Sequence, residues 1–258
     1  MGPAIGRYAT PDATTRGGGA VGAPRYWKMI GFDAPAWHDI LLETAKPQGH
    51  EHFPLHVKAV DPINIAAVQA LPCAHSATKI FFTTALRWLT DASLYNAVGR
   101  PDIRKSLCSA AQIKEMTGIK IEPFEGEPLA GLFGFPRLEI AKERYRPIFA
   151  PDTNDALDRS TLQRLQYRTR DDIRRDVHAG EYCVQLDMAS YYDQFVLGDS
   201  IKPYFVFTHN KQNFSLRTLA MGQRQACEVA QATTWVLVDF PRPHTVKCTT
   251  CIDNVRFV

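Results

Sequence analysis

The pattern of apolar and polar positions changes character near Gly118. From Trp27 to Gly118, apolar residues recur at helical spacing and predict four helices. After Gly118, short apolar runs alternate with helical stretches, which predicts a sheet with helices on one face. The four helices are DAPAWHDILLETA from Asp33, DPINIAAVQAL from Asp61, SATKIFFTTALRWLTDASLYNAV from Ser76 and DIRKSLCSAAQIKEMT from Asp102, the last ending at Gly118.

The second half of the chain predicts an α+β arrangement. Its opening stretch, EPFEGEPLAGLFGFPR, is rich in Pro and Gly and predicts a loop. The elements after it are the strand RYRPIF, a helix over roughly residues 155–179, the strands YCVQLDM, YFVFT and FSLRTL, the helix QACEVAQATTWVLV, and the strands HTVKCTTCI and VRFV. Residues 1–25, rich in Gly, Pro, Ala and Thr, predict a flexible leader, so the chain divides into 1–25, a helical region 26–118 and a region 119–258.

Composition narrows the class of protein only a little. The 258 residues are 45% hydrophobic and 22% charged, as in globular proteins of one large or two small domains. No apolar run is long enough to span a membrane. The six cysteines lack a disulfide framework and follow no secretory signal, so we expect an intracellular protein, cytoplasmic or nuclear, with reduced thiols. Cys248 and Cys251 form a C-x-x-C in a predicted strand without a second pair, which favours packing over zinc binding.

The formal net charge of +3 is mild, but its distribution is uneven. Residues 137–175 hold nine Arg and one Lys. The planar guanidinium suits phosphate, so this stretch could bind phosphates. The acidic residues interleaved with these cations fit a charged helix surface equally well.

Two carboxylates stand where apolar runs end. Asp187 follows the strand VQL, and Asp253 lies between TTCI and VRFV. On neighbouring strands of one sheet they would meet, and such a pair can hold two Mg²⁺ ions for an in-line phosphoryl transfer. Gly222, at the start of a predicted helix, would permit close approach of the backbone to a ligand. An Asp-Asn pair such as Asp253 and Asn254 is also an ordinary turn.

Three segments in this order resemble motifs A, B and C of reverse transcriptases, in particular those of long-terminal-repeat and tyrosine-recombinase retroelements (gypsy-, DIRS- or VIPER-like). The motif A segment, residues 184–195, contains LDMASYYDQF and is similar to L-D-L-K-S-G-Y-H-Q-I. The motif B segment, residues 214–231, contains LAMGQRQACEVAQ and is similar to L-P-F-G-L-x-x-A-P-x-x-F-Q. The motif C segment, CIDN at 251–254, stands in place of aromatic-x-Asp-Asp. Residues that match are Leu186, Asp187, Ser190, Tyr192 and Gln194 in A, and Leu219, Gly222, Ala226 and Gln231 in B.

The resemblance implies a polymerase palm, an antiparallel sheet with helices on one face, together with fingers in residues 119–258. It implies catalytic Asp187 and Asp253, and a metal site of these two with Met188 and Asn254, for Mg²⁺ or Mn²⁺. It further implies deoxynucleoside triphosphates and a primed RNA or DNA template as partners; the oligomeric state stays open. Residues implied to bind the nucleotide are Lys142, Arg144, Arg146, Tyr192, which would exclude a ribose 2′-hydroxyl, Met221 and Gly222, with Asn154 near the end of the fingers strand.

The sequence also departs from the family pattern. In motif B, Ala220 replaces the usual Pro and Met221 replaces the usual Phe or Gln. In motif C, Cys251 replaces the aromatic residue and Asn254 replaces the second acid. An amide brings no charge, so it binds a hard cation more weakly than a carboxylate does. No thumb or RNase H segment follows motif C, which predicts a truncated chain. The expected activity is RNA-directed DNA polymerisation; the alternative is a degenerate, non-catalytic remnant that binds nucleic acid.

Overall fold

The computed structural model describes residues 52–96, 101–157, 159–163, 165 and 167–258, which all belong to one compact unit, Gln48–Val258. The predicted leader and the helix predicted from Asp33 lie outside the described residues. Residues on both sides of Gly118 share that unit, and the division of the chain at 118/119 stays a prediction.

Helices and antiparallel strands are mixed along the described part of the chain, which confirms the α+β class. The α-helices there are α1 (Ile65–Ala70), α2 (Ser76–Leu86), α3 (Ala110–Met116), α4 (Thr153–Ala156), α5 (Arg170–Ala179) and α6 (Ala226–Val238). The strands are β1 (Ile121–Pro123), β2 (Leu132–Glu139), β3 (Arg144–Pro151), β4 (Val184–Asp187), β5 (Val206–His209), β6 (Gln212–Leu216), β7 (Cys248–Cys251) and β8 (Asn254–Phe257). Short 3₁₀ turns at Arg87–Leu89, Ala92–Leu94, Ile140–Lys142, Arg159–Thr161, Tyr191–Gln194 and Lys202–Tyr204 join them.

The strands form three antiparallel sheets rather than one. Their orders are β1-β6-β5, β2-β3 and β4-β8-β7. β2 and β3 pair over their whole length, with Arg137 opposite Arg146. An isolated bridge between Gly131 and Val206 joins this hairpin to the first sheet. The third sheet places Asp187 opposite Asn254, so the ends of β4 and β8 meet.

A hydrophobic core joins the first sheet, α6 and the helical segments before Gly118. Phe207 and Leu216 of the first sheet and Phe205, just before β5, are fully buried, as are Val229 and Ala230 of α6. Trp88, from the turn after α2, packs in the same core and donates to the buried carboxylate of Glu228 in α6 at 3.2 Å. The sheets are therefore held to α6, the helix that the motif B segment begins.

Three predicted helices are shorter or divided in the structure, because local side-chain hydrogen bonds determine where each helix begins or ends. The helix predicted from Ser76 stops at Leu86, after which Asp91 pairs with Arg87 and accepts from the backbone of Ser93. The helix predicted over 155–179 is two pieces, α4 and α5, and Thr169 caps the second by accepting from Asp172. The helix predicted from Asp102 begins only at Ala110, behind the capping box that Ser109 forms with Gln112.

Tertiary pairing caused the other errors. Lys105, predicted to be helical, forms a parallel bridge with Thr208. The predicted loop EPFEGEPLAGLFGFPR contains most of β1 and most of β2. β2 tolerates Pro136, which lies opposite Pro147, because β2 is an edge strand of its two-stranded sheet.

Candidate active site

Two carboxylates meet at one end of the third sheet, as the strand-end argument predicts. Asp187 is the last residue of β4 and pairs in register with Asn254, the first residue of β8. Asp253 lies in the turn between β7 and β8, and its carbonyl accepts from the backbone of Met188 at 2.9 Å. That bond continues the ladder past Asp187, so the two carboxylates lie on adjacent backbone segments at the same sheet end.

Side chains of α6 hold the turn that carries Asp253. Ile252 has a left-handed backbone with φ of 57°, a conformation that β-branched residues rarely adopt. Its N–H donates to Gln231 Oε1 at 2.7 Å, and its carbonyl accepts from Thr234 Oγ1 at 2.6 Å. The Gln231 amide also donates to Thr250 Oγ1 at 2.8 Å. The helix therefore fixes both backbone groups of the residue before Asp253.

Asn254 contacts Asp253 through its amide nitrogen. Nδ2 donates to Asp253 Oδ1 at 2.9 Å, and Oδ1 of Asn254 accepts from Gln185 Nε2 at 3.2 Å. In this arrangement both halves of the amide are engaged by neighbouring side chains. Asn254 orients the Asp253 carboxylate, and Asn254 is not among the residues that line the cleft described below.

The arginines predicted to bind phosphate lie on β3. Arg144 Nε donates to Glu139 Oε2 at 2.6 Å, and Arg146 Nη2 lies 3.1 Å from Glu139 Oε1. The hydrogen bond from Arg144, together with the charges of Arg146 and Lys142, holds the pKa of Glu139 below its usual range. One carboxylate thus aligns two guanidinium groups along the same strand.

Three further basic side chains line the same cleft, and the sequence reasoning missed them. His56 and Lys58 belong to an extended segment that pairs with β3 at Tyr145, and Lys120 precedes β1. Lys120 forms an ion pair with Asp193, in the turn after β4. We call the six side chains of His56, Lys58, Lys120, Lys142, Arg144 and Arg146 the cationic wall.

Tyr192 and Met221 both line the cleft, on segments A and B respectively. The Tyr192 hydroxyl lies 3.7 Å from Cys227 Sγ, which fixes the direction of the ring. Burial, and then the neighbouring Cys227, raise the pKa of Tyr192, so its hydroxyl stays neutral at physiological pH. Met221 Sδ lies 3.7 Å from Arg146 Nη1, so segment B reaches the cationic wall.

Gly222 is exposed and is not among the residues that line the cleft. Its φ is 112°, and a Cβ at this position would be 2.5 Å from the carbonyl oxygen of Phe149 in β3. Asn154 holds the same loop, since it donates to the Gly222 carbonyl at 2.7 Å and accepts from Arg224 N–H at 3.0 Å. Gly222 thus permits segment B to pack closely against β3, and Asn154, just after β3, stabilises that contact.

These side chains surround one cleft of about 380 Å³. Asp187 and Asp253 line it together with the cationic wall, and so do Met188, Tyr192 and Met221. Of the predicted site residues, Gly222 and Asn254 do not line it. The cleft therefore combines a pair of acids with a wall of cations, as a site for a polyphosphate and a divalent cation requires.

The donor set fits Mg²⁺. No group of three or more His, Cys, Asp or Glu side chains that could hold a metal occurs among the residues that the structure describes. Mg²⁺ in phosphoryl-transfer sites needs fewer protein ligands, because it keeps several waters and takes one or two carboxylates plus substrate phosphates. Asp187 and Asp253 can supply these two carboxylates. Asp253 is half-buried.

Comparisons with known proteins give distant structural likeness only. No protein-family model matches the sequence, and no curated protein does. Among solved structures, the prototype foamy virus protease-reverse transcriptase CSH mutant is 14% identical, with 78% of this chain and 30% of that chain covered and a TM-score of 0.47. The foamy viral protease-reverse transcriptase dRH in complex with double-stranded DNA is 10% identical, with 83% and 40% covered and a TM-score of 0.47.

A third structure, the foamy viral protease-reverse transcriptase in complex with double-stranded DNA, is 8% identical, with 78% and 47% covered and a TM-score of 0.44. This chain thus spans less than half the length of each of these proteins. Such identities and TM-scores are too low to establish what the chain binds or catalyses. Separately, none of the helices in the described ranges is long and apolar enough to cross a membrane.

Proposed function

We propose that the chain is the fingers and palm portion of a retroelement reverse transcriptase, an RNA-directed DNA polymerase. The observation that carries this proposal is the single cleft that Asp187 and Asp253 line together with the cationic wall. The order of motifs A, B and C along the sequence supports it independently. In this proposal β4, β7, β8 and α6 form the palm, and the β2-β3 hairpin belongs to the fingers.

In this function, Asp187 and Asp253 hold Mg²⁺, or Mn²⁺ in its place, with the Met188 carbonyl as a further ligand. The bound ions would neutralise charge on the attacking and leaving oxygens of phosphoryl transfer. Because Asn254 donates to Asp253, it acts first on the orientation of that carboxylate, and any part it has as a metal ligand is weaker.

The remaining side chains bind and orient the nucleotide. Arg144, Arg146 and Lys142 neutralise the triphosphate, with Arg146 the first candidate because it also contacts Met221. The Tyr192 ring packs against the sugar and leaves no room for a 2′-hydroxyl. Met221 lies beside the base, and Gly222 keeps the segment B loop close to β3. A primed template would bind through its phosphates, with an affinity that falls steeply with salt.

One observation favours a second candidate, a non-catalytic remnant that binds nucleic acid. The amide of Asn254 occupies the position of the second acid and is engaged by Gln185 and Asp253. A site with one carboxylate fewer binds Mg²⁺ less tightly. This candidate predicts binding to an RNA–DNA hybrid without extension, even in the variant Asn254→Asp.

The test is incorporation of deoxynucleotides on a primed RNA template, first with Mg²⁺ and then with Mn²⁺. We expect incorporation by the chain and its loss in Asp253→Ala. Asp171→Ala, which removes an exposed carboxylate on α5, is the matched control and should keep the activity. Incorporation that survives Asp253→Ala would refute the assignment of the site. Hybrid binding without incorporation by the chain or by Asn254→Asp would favour the remnant.

A further inference from the structure

The segment that precedes α1 adds two basic side chains, His56 and Lys58, to the cleft by pairing with β3. The backbone of Tyr145 donates to the Pro54 carbonyl at 2.8 Å, and His56 N–H donates to the Tyr145 carbonyl at 2.6 Å. Between these bonds, Leu55 is buried in the main core, with 6% of its surface exposed. The backbone of His56 is therefore fixed, and its side chain lines the cleft beside the arginines of β3.

Cations from three elements surround the imidazole of His56. Arg144 and Arg146 belong to β3, Lys58 to its own segment and Lys120 to the residues before β1. Partial burial, and then these four charges, hold the pKa of His56 below its ordinary value of 6.5. At neutral pH, and without an anion in the cleft, the ring is therefore uncharged.

The ring is also available for a new contact. Among the described residues, no hydrogen bond involves the imidazole of His56. Only the backbone of His56 is bonded, to Tyr145 in β3. The carboxylates that line the cleft are Asp187, Asp193 and Asp253, and Asp193 is already paired with Lys120. A ligand that brings negative charge to the cationic wall would reverse the local field at His56.

We propose that His56 is a phosphate-binding residue and that its imidazole takes up a proton from solvent when the polyphosphate of a nucleotide binds beside Arg144 and Arg146. The proposal rests on the proposed function in naming a nucleotide. The anionic oxygens cancel the repulsion from the neighbouring cations and accept a charge-assisted hydrogen bond from the imidazolium. Because binding raises the affinity of the ring for a proton, nucleotide binding weakens as pH rises through the bound-state pKa.

The phosphodiester backbone of a template offers the same phosphate chemistry as a nucleotide. The cleft has a volume of about 380 Å³, the size of a small-molecule pocket, which suits a small polyphosphate better than a continuous duplex. The probes that separate the two sources are inorganic tripolyphosphate, dTTP and a short DNA duplex.

The experiment is isothermal titration of the full chain with each probe at pH 7, in two buffers of different ionisation enthalpy, which gives the protons taken up per ligand. We expect uptake of a fraction of one proton with tripolyphosphate and dTTP. His56→Gln should abolish that uptake and weaken binding about three- to tenfold at pH 6, with the difference vanishing near pH 8.5. The γ-phosphate of the ligand titrates equally in every variant, so the difference between variants isolates His56.

Two variants sharpen the result. His52→Gln removes an exposed histidine of the same segment and should behave like the parent chain. His56→Lys supplies a permanent cation, so it should bind tightly at pH 8 without proton uptake, and it tests the proposal should His56→Gln fold poorly. Equal uptake by the parent and His56→Gln would overturn the proposal, as would uptake with the duplex alone.

Nucleotide incorporation by the same preparations separates this proposal from the proposed function. His56-dependent proton uptake without any incorporation would refute the polymerase and leave a proton-coupled phosphate site. Suppose that Asp253→Ala abolishes nucleotide incorporation while His56→Gln leaves the proton uptake unchanged. This result would refute the proton-coupled site alone.

Discussion

Two neighbouring threonines of α6 offer a matched test of how the Asp253 turn is held. Thr233 and Thr234 both have 0% exposure. The Thr234 hydroxyl donates to the Ile252 carbonyl at 2.6 Å, whereas the Thr233 hydroxyl donates to the Val229 carbonyl of its own helix at 2.8 Å. Replacement by valine removes either hydroxyl with little change of shape and the same change in helix propensity.

The expected costs differ because only one substitution leaves a polar group without its partner. Thr234→Val loses the bond to the Ile252 carbonyl, worth roughly 1 kcal/mol, and leaves this carbonyl unpaired at a desolvation cost of similar size, so we expect at least about 2 kcal/mol. It also loses the 3.0 Å contact with the Tyr191 hydroxyl. Thr233→Val should cost about 0.5 kcal/mol, because the Val229 carbonyl keeps its helical partner. With a denaturant slope of about 2 kcal/mol/M, the urea midpoint of Thr234→Val should fall by about 1 M.

Urea unfolding followed by tryptophan fluorescence measures both variants against the parent chain. Nucleotide incorporation, measured at a temperature where all three proteins are folded, should fall further in Thr234→Val, since Ile252 precedes Asp253 directly. Midpoints for the two variants that agree within about 0.2 M, well inside the expected difference, would refute the idea that this bond holds the turn.

Three further substitutions have directions that the structure fixes. Gly222→Ala should lower the free energy of unfolding by about 3 kcal/mol, because of backbone strain and the close Phe149 carbonyl. Gly118 has φ of 82° and open space around it, so the control Gly118→Ala should lower it by only about 1 kcal/mol. Equal urea midpoints for the two variants would contradict this expectation. Glu139→Gln frees the two guanidiniums that it pairs, so titration calorimetry should show tripolyphosphate binding about threefold tighter at low salt, and weaker binding would oppose it. The hydrogen bond from Lys247 lowers the pKa of Asp176. The stability that this carboxylate contributes is therefore present above its unfolded-state pKa of about 3.9 and is lost as pH falls through its lower folded-state pKa. The difference in unfolding midpoint between the parent and Asp176→Asn should shrink from about pH 5 to about pH 3, and a constant difference would count against this reasoning.

The elements that the sequence predicted well are those whose apolar pattern is decided locally. α6, β4 and β7 lie within the predicted runs, while β3, β5, β6 and β8 overlap theirs and extend past them by one or two residues. Asp187 and the turn of Asp253 lie at one sheet end, as the strand ends predicted. The failures lie where a partner distant in sequence decides. Lys105 lies in a predicted helix, yet its segment pairs with Thr208, more than a hundred positions away. Periodicity within a window contains no information about such a partner.

The candidate site divides in the same way. Motif resemblance drew attention to Asp187, Asp253 and the arginines of β3, which the structure brings to one cleft, while their roles stay predictions. His56 and Lys120 reach the same cleft without any motif, since His56 arrives through backbone pairing with Tyr145. A signal for α6 did exist, because Gln231 matches the last position of motif B. Its part in holding Ile252 becomes visible only when the hairpin is folded against the helix.

Segment B joins the two halves of the cleft, and this gives its sequence a physical reason. At its start, Gly222 packs on the Phe149 carbonyl and Asn154 holds the loop, so the loop is fixed to the strand that carries the cationic wall. Within α6, Gln231 and Thr234 hold the turn that carries Asp253. One helix of 13 residues therefore links the loop that packs on β3, the strand of the proposed phosphate-binding arginines, to the turn of the proposed metal ligand Asp253. Because in-line phosphoryl transfer depends on positioning more than on any single group, substitutions at either end of this helix should reduce catalysis without touching the nucleotide.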